Sequence, residues 1–337
     1  MAKRKSRTVS GGAAVAAGAA VAVGGAIAAG KAVHDLVVER GERERGRRYR
    51  LARDESLREG IVRIAVGQLD LAIALVEGRE GDGPQAIHEA RKALKRLRAV
   101  LRLCRPYLGK QRYRQENTIL RDAGRSLSGA RDAQVLIETL DGLREPLAEE
   151  LPDDIWSRFR DALSADARAL GDPDDKERAN VASALAGVRA RVELWQLPDD
   201  RGPEALAPGL RRIYSRARRA RRKAREQAIP ENLHELRKRT KDVWYSAQLL
   251  ARVRPKRIAK LRRRAHRLAD VLGEDHDLAV LLERAAAKPE AFGSGELELL
   301  RALIERRRRV LEADALARAA KLYRRTPRKL VRRLALK

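Results

Sequence analysis

An all-α fold is what this sequence predicts, and three features carry the expectation. Apolar residues return at spacings of three and four over most of the chain, and the alternation that marks strands is almost missing. The interruptions are Gly, Pro and Asp clusters of the kind that stop one helix and start another. With 337 residues, 44% of them hydrophobic, the chain has enough apolar material to bury the core of one large domain or two small ones.

Taken in order, the chain opens on "MAKRKSR" and then "GGAAVAAGAAVAVGGAIAAG", residues 11–30, a basic start followed by an apolar stretch. The outline is that of a signal peptide or membrane anchor. Yet only Val15, Val21, Val23 and Ile27 are strongly apolar, which gives little drive to insert. Two readings stand: an Ala/Gly-rich and charged extension over residues 1–48, or an anchor through residues 11–30. "ERGERERGRRYR", residues 39–50, then reads as a solvated connection into a folded domain spanning 49–335.

Within that domain, helical periodicity predicts segments at about 51–78, 85–107, 110–127, 131–142, 154–169 and 175–195, and again at about 204–227, 231–253, 256–272, 276–287 and 295–323. Between them stand "EGDGP" at 80–84, "GDPDD" at 171–175, "LPDDRGP" at 197–203 and "AKPEAFGSG" at 287–295. The two series repeat one another. "IHEARKALK" lies over "LHELRKRTK" when His88 is set on His234, and "LSGARDAQVL" (127–136) lies over "LGEDHDLAVL" (272–281). Two copies of one helical unit are therefore expected, a first half at about 49–196 and a second at about 203–335, packed as a pseudo-symmetric pair.

The repeated motif is a basic helix. On a wheel of about 100° per residue with His88 at zero, Lys92 falls at about +40°, Lys95 at about −20°, Arg102 at about −40°, Arg91 at about −60° and Arg98 at about −80°. Ile87, Leu94, Leu97, Leu101 and Cys104 take the opposite arc, so the apolar side packs while the cations face outward. His234, Arg237, Lys238, Lys241 and Arg252 form the corresponding face of the second copy. Few carboxylates interrupt either arc, and converging helices of this kind line a groove of one sign. Cys104, the only cysteine, lies on the apolar side and reads as core; a lone thiol forms no intrachain disulfide and no thiolate metal site, which fits a reducing compartment.

Charge points to the partner. The chain carries 75 Lys and Arg against 47 Asp and Glu, a net +28. Such an excess repels itself and is best tolerated beside a polyanion. Nucleic acid, an anionic membrane and polyphosphate all qualify, but single-stranded nucleic-acid binders stack bases on aromatic side chains, and this chain has only two Phe, three Trp and six Tyr. Further basic runs surround the motif: "RRIYSRARRARRKAR" at 211–225, with nine Arg or Lys in fifteen positions, and "RPKRIAKLRRRAHR" at 254–267. They supply Arg218, Arg222, Arg263 and Arg267 as secondary candidates, with Arg131 from the first repeat.

The four motifs "IHEARKALKRLR", "LSGARDAQVL", "LHELRKRTKDVWY" and "LGEDHDLAVL" resemble, in order, those of the CHAD family, the conserved histidine α-helical domain, over roughly residues 50–335. The resemblance implies two pseudo-symmetric four-helix bundles with a basic cleft between them that binds inorganic polyphosphate, and in some members an association with polyphosphate or polyhydroxyalkanoate granules. Carried over, the polyphosphate-binding residues are His88, Arg91, Lys92, Lys95, Arg98 and Arg102 from the first copy, and His234, Arg237, Lys238 and Lys241 from the second. Asp242 and Trp244 stand where the first copy has Arg96 and Arg98, so the second helix end offers fewer cations. The two histidines are expected to donate to phosphate, with affinity weakening as pH rises through the histidine range.

No catalytic constellation is present: no phosphate-cradling GxxxxGK[ST], no HExxH, and no nucleophile beside a base. Asp132 and Asp277 each read as a helix cap or as the orienting partner of a basic residue such as Arg131; "EDHDLAVLLE" at 274–283 reads as a cap and helix start, not a metal site. The expectation is a binding protein without metal or cofactor, cytoplasmic and granule-associated. The alternatives are a general nucleic-acid binder using the two basic runs, and a membrane or granule-surface adaptor docked through residues 11–30.

Overall fold

The computed structural model of the chain describes residues 49–52, 54–144, 150–199, 202–253, 255–334 and 336. The Ala/Gly-rich extension, with its alternative of an anchor at residues 11–30, lies outside these residues. Among the described residues there is no strand, and no helix is long and apolar enough to cross a membrane. Eleven α-helices follow one another among the described residues: α1 Leu57–Val76, α2 Gly83–Leu108, α3 Lys110–Ser126, α4 Gly129–Arg144, α5 Asp153–Leu170, α6 Asp175–Val192, α7 Ala207–Glu226, α8 Pro230–Leu249, α9 Pro255–Ala286, α10 Glu296–Leu322 and α11 Pro327–Arg333.

Local signals explain most of their ends. Ser56 and Glu59 close a reciprocal capping box on α1. Pro84 and Pro230 occupy the first turns of α2 and α8, where a missing N–H costs nothing. Gly109 at φ 72° lets the chain turn from α2 into α3, and the Asp174 carboxylate caps α6 by accepting from the Glu177 amide at 2.7 Å.

The helices of the first half, α1, α2, α3 and α6, pack as one bundle; α7, α8, the N-terminal part of α9 and the C-terminal part of α10 pack as its counterpart, with α11 laid on α7. One continuous core runs through both, from Tyr49 and Ile61 to Tyr323 and Leu336. The crossing of α2 and α7 is close: a Cβ on Gly209 would fall 2.0 Å from the Leu103 carbonyl oxygen, so only glycine fits. A second, smaller core is shared by the halves, where α4 and α5 meet the C-terminal part of α9 and the N-terminal part of α10 around Phe159, Leu281 and Ile304.

The repeat is therefore drawn with different punctuation in its two copies. The first breaks between α3 and α4 at Leu127–Ser128, whereas the second runs without a break through α9 for 32 residues. Separate helices at 256–272 and 276–287 are not formed, because "RLADVLGEDHDL" contains no proline and its single Gly273 is tolerated inside a helix. It follows that Asp277 is mid-helix and caps nothing, and that 274–283 is not a helix start. Asp132 lies beyond the first three residues of α4, where its own amide already bonds the Ser128 carbonyl, so it is not a cap either.

Candidate functional site

The two repeated basic helices, α2 and α8, are packed against each other near the middle of the molecule. Burying Leu94, Leu97 and Leu101 of α2 and Leu233, Leu236 and Val243 of α8 turns the remaining side of each helix outward. Arg91, Lys92 and Lys95 of α2 thereby come close to Arg237 and Lys241 of α8.

Lys95 is open to solvent but hemmed in by protein, as expected for a side chain on the wall of a cleft. Desolvation, then the charges of Lys241, Arg91 and Arg237, push its ammonium down to about 7, with Asp132 opposing. Lys241 is pushed down to about 8 by burial and then Arg237, while Asp277 and Asp270 hold it up and Lys92 lowers it further. Cations of both repeats thus face one another across the cleft, close enough to disfavour each other's charge.

What carboxylate there is serves the arginines. Arg91 donates through Nη1 to Asp132 Oδ1 at 2.8 Å, and the Arg237 guanidinium stands 3.9 Å from Asp277. These are the same pair in the two repeats. The aspartates hold the arginines in place, Asp132 taking Arg91; the Arg131 side chain lies outside the described residues. Burial raises the Asp277 carboxyl, against the opposing pull of Arg237 and Lys241. Lys92 pairs with the buried Glu89 at 2.8 Å.

His234 lies beside the cleft and stacks on His276 of α9, with ring centroids 4.1 Å apart. Desolvation first, then Lys238 and Arg237, push His234 down to about 4; desolvation and then His234 itself push His276 down to about 3. Both rings are therefore neutral in the free protein near pH 7. His88 sits half-buried one turn before Arg91, and Lys238 is exposed.

Arg98 and Arg102 share the face of Lys95 but not its neighbourhood. They stand further along α2, where Arg102 approaches Asp242 at 3.1 Å and Arg239 donates to the same carboxylate at 3.0 Å. Arg98 donates to the Asn117 side chain and is pushed down to about 10 by burial and then by Arg102. Arg216 of α7 joins this group, lowered by burial and then by Arg239. Asp242 thus clamps two arginines at a second basic centre. Arg96 is buried with its guanidinium 6.0 Å from the Tyr49 ring centroid, and Trp244 and Tyr245 pack on each other. The secondary candidates Arg218 and Arg222 line a groove on α7, whereas Arg263 and Arg267 are exposed on α9. Cys104 is core, its thiol pushed up to about 12 by burial.

Sequence reasoning missed His276, Asp242 as a clamp, Arg239 and Arg216. The first carried a signal: His276 occupies the place of Arg131 when the repeats are superposed, next to the matching pair Asp132 and Asp277.

No curated protein matches the chain. Its fold is similar to that in the crystal structure of the CHAD domain from the plant Ricinus communis, with TM-score 0.58 and 19% identity, covering 81% of this chain and 94% of that one. The family model of the CHAD domain matches residues 63–286. With its duplicated histidine helices brought together by that fold, the chain belongs to the CHAD domain family.

Proposed function

We propose that the chain binds inorganic polyphosphate in the cleft between α2 and α8, holding it with Arg91, Lys92 and Lys95 from one repeat and Arg237 and Lys241 from the other. The observation that carries this reading is the crowding of Lys95 by Arg91 of its own repeat and by Arg237 and Lys241 of the other, which disfavours its charge. A bound polyanion would remove that penalty, and it would do so through charge neutralisation and hydrogen bonds to phosphate oxygens without needing bases to read. Membership of a family associated with polyphosphate supports the choice of polymer. The two arginines supply fixed forks and the lysines movable point charges, a mixture suited to many registers of one chain.

The role is binding without turnover: Asp132 and Asp277 are engaged by Arg91 and Arg237, and Glu89 by Lys92. Occupancy would then place the protein on polyphosphate-containing granules in the cytoplasm. The test is competition binding of the full chain to long-chain polyphosphate against duplex DNA, single-stranded RNA and heparin over a salt series. Beside it stands a variant with Arg91, Lys95, Arg237 and Lys241 all changed to Ala. Preference for polyphosphate at moderate salt, lost in the variant, supports the reading. Equal binding of every polyanion, weakened only in proportion to charge, refutes it, and shortening of the polymer during incubation refutes the absence of turnover.

A further inference from the structure

α7 carries cations on two different flanks. With Ala217 at zero, the helical period puts Arg221 at about 40°, Arg225 at about 80°, Arg218 at about 100° and Arg222 at about 140°, whereas Arg216 falls at about −100°. Arg216 is the residue that faces Arg239 and the α2–α8 pair. The other four therefore look away from the Asp242 centre that Arg216 joins. They face the turn between α10 and α11: Arg218, Arg221 and Arg325 all act on the Tyr214 hydroxyl, which donates to the Leu322 carbonyl at 2.8 Å.

There they surround a groove of about 410 Å³, lined by Ser215, Pro327 and five arginines of α7 and by no carboxylate. Among the described residues, Arg218, Arg219, Arg221 and Arg225 have no acidic side chain within ion-pair distance, and Arg222 has only Glu226 at 3.9 Å. The contrast with the hollow at the other centre is plain: that one, lined by Arg237 and Lys241, also holds Asp270, Glu274, Asp277 and Glu138. Guanidinium groups gathered without acid repel one another, which favours an anion between them. Guanidinium forks match pairs of phosphate oxygens. The groove offers no aromatic platform for a base, since Tyr214 is fully buried.

We propose that this groove is a second, arginine-only binding site for a phosphate chain, so that one molecule holds two segments of polyphosphate, one in the α2–α8 cleft and one on the flank of α7 turned away from Arg216. The proposal rests on polyphosphate being the ligand of the α2–α8 cleft. Two separate grips on one polymer type make the protein bivalent, which raises avidity for a long chain and lets it join two chains.

The experiment is calorimetric titration of the full chain with tripolyphosphate, which is too short to reach round a helix about 10–12 Å across. Three proteins are compared: the wild type, R218Q/R221Q/R222Q/R225Q, and K95A/K241A. Helix content by circular dichroism confirms that each is folded, and a charge-preserving set of Arg→Lys changes at the four positions separates lost forks from lost charge. The expected result is two equivalents for the wild type and one for the arginine-to-glutamine variant, with the affinity of the remaining site unchanged, together with less light scattering when long-chain polyphosphate is added. One equivalent in the wild type, kept by the arginine variant and lost by K95A/K241A, overturns the second site and leaves the cleft reading intact. One equivalent lost only in the arginine variant overturns bivalence and the cleft reading together. An arginine variant that keeps two equivalents yet loses duplex DNA overturns the assignment in favour of a nucleic-acid surface.

Discussion

Binding at the α2–α8 cleft should take up protons, because two of its ammonium groups are partly discharged in the free protein. At pH 8 a lysine titrating at about 7 is roughly one-tenth charged and one titrating at about 8 roughly half charged. A phosphate chain that holds both as ammonium therefore takes up roughly 1.4 protons per site at that pH, falling to roughly 0.1 at pH 6. The sign follows from the direction of the shifts: both pKa values are depressed without ligand and restored with it, so affinity is greatest below pH 7 and is lost as pH rises. Averaged between pH 7 and pH 8, uptake of about one proton weakens Kd about tenfold. His234 and His276, lowered to about 4 and about 3 in the free protein, place their own free-state titration in acid. The steep region thus belongs to the lysines, above the window that the histidine motif suggested.

The assay is calorimetry with long-chain polyphosphate, whose terminal phosphates are few, in two buffers of different ionisation enthalpy at pH 6, 7 and 8. K95M/K241M serves as the reference and should bind more weakly with its uptake at pH 8 abolished. Uptake below about 0.3 protons at pH 8 with binding intact, or a Kd that stays flat from pH 6.5 to pH 8.5, would refute the account of how the cleft is built.

Three further outcomes are expected. At pH 6, where both lysines are charged, K95A/K241A should lower the slope of log Kd against log salt by roughly two, the number of phosphate contacts removed; an unchanged slope would mean that these lysines do not meet the polymer. Gly209→Ala should destabilise the fold by about 1–3 kcal/mol in urea unfolding, since the added methyl has the Leu103 backbone in its place and α2 and α7 must move apart. Asp242→Asn should cost about 3–5 kcal/mol by leaving Arg102 and Arg239 largely buried around an uncharged amide, and a neutral result would show that solvent reaches this centre.

The helical fold and the pairing of the two histidine helices were legible because amphipathic periodicity is a local property and the repeat is written twice. The breaks were less legible. Gly, Pro and Ser marked them in the first copy, but "VLGEDHDL" looks like a turn by composition and is helix because α9 is held from both sides, by the large core at Leu268 and Leu272 and by the small one at Leu278 and Leu281. A cap reading of Asp277 made from composition could not see that support; of the two readings the sequence allowed for Asp132 and Asp277, holding a basic residue is the one the contacts with Arg91 and Arg237 favour.

The same limit explains how the basic face divides. A helical wheel collapses position along the axis, so Lys95 and Arg102 look like neighbours although α2 crosses the second repeat between them: one side meets Arg237 and Lys241, the other Asp242 and Arg239. Asp242 had marked itself only as a gap in the motif. In three dimensions it is the carboxylate shared by Arg102 and Arg239 at the second centre, whereas at the first Arg91 has Asp132 and Arg237 has Asp277, and Lys95 is crowded by Lys241, Arg91 and Arg237. The duplicated motif therefore encodes two basic centres held by different carboxylates: the repeated pair Asp132 and Asp277 at one, and at the other Asp242, a residue in which the two copies disagree.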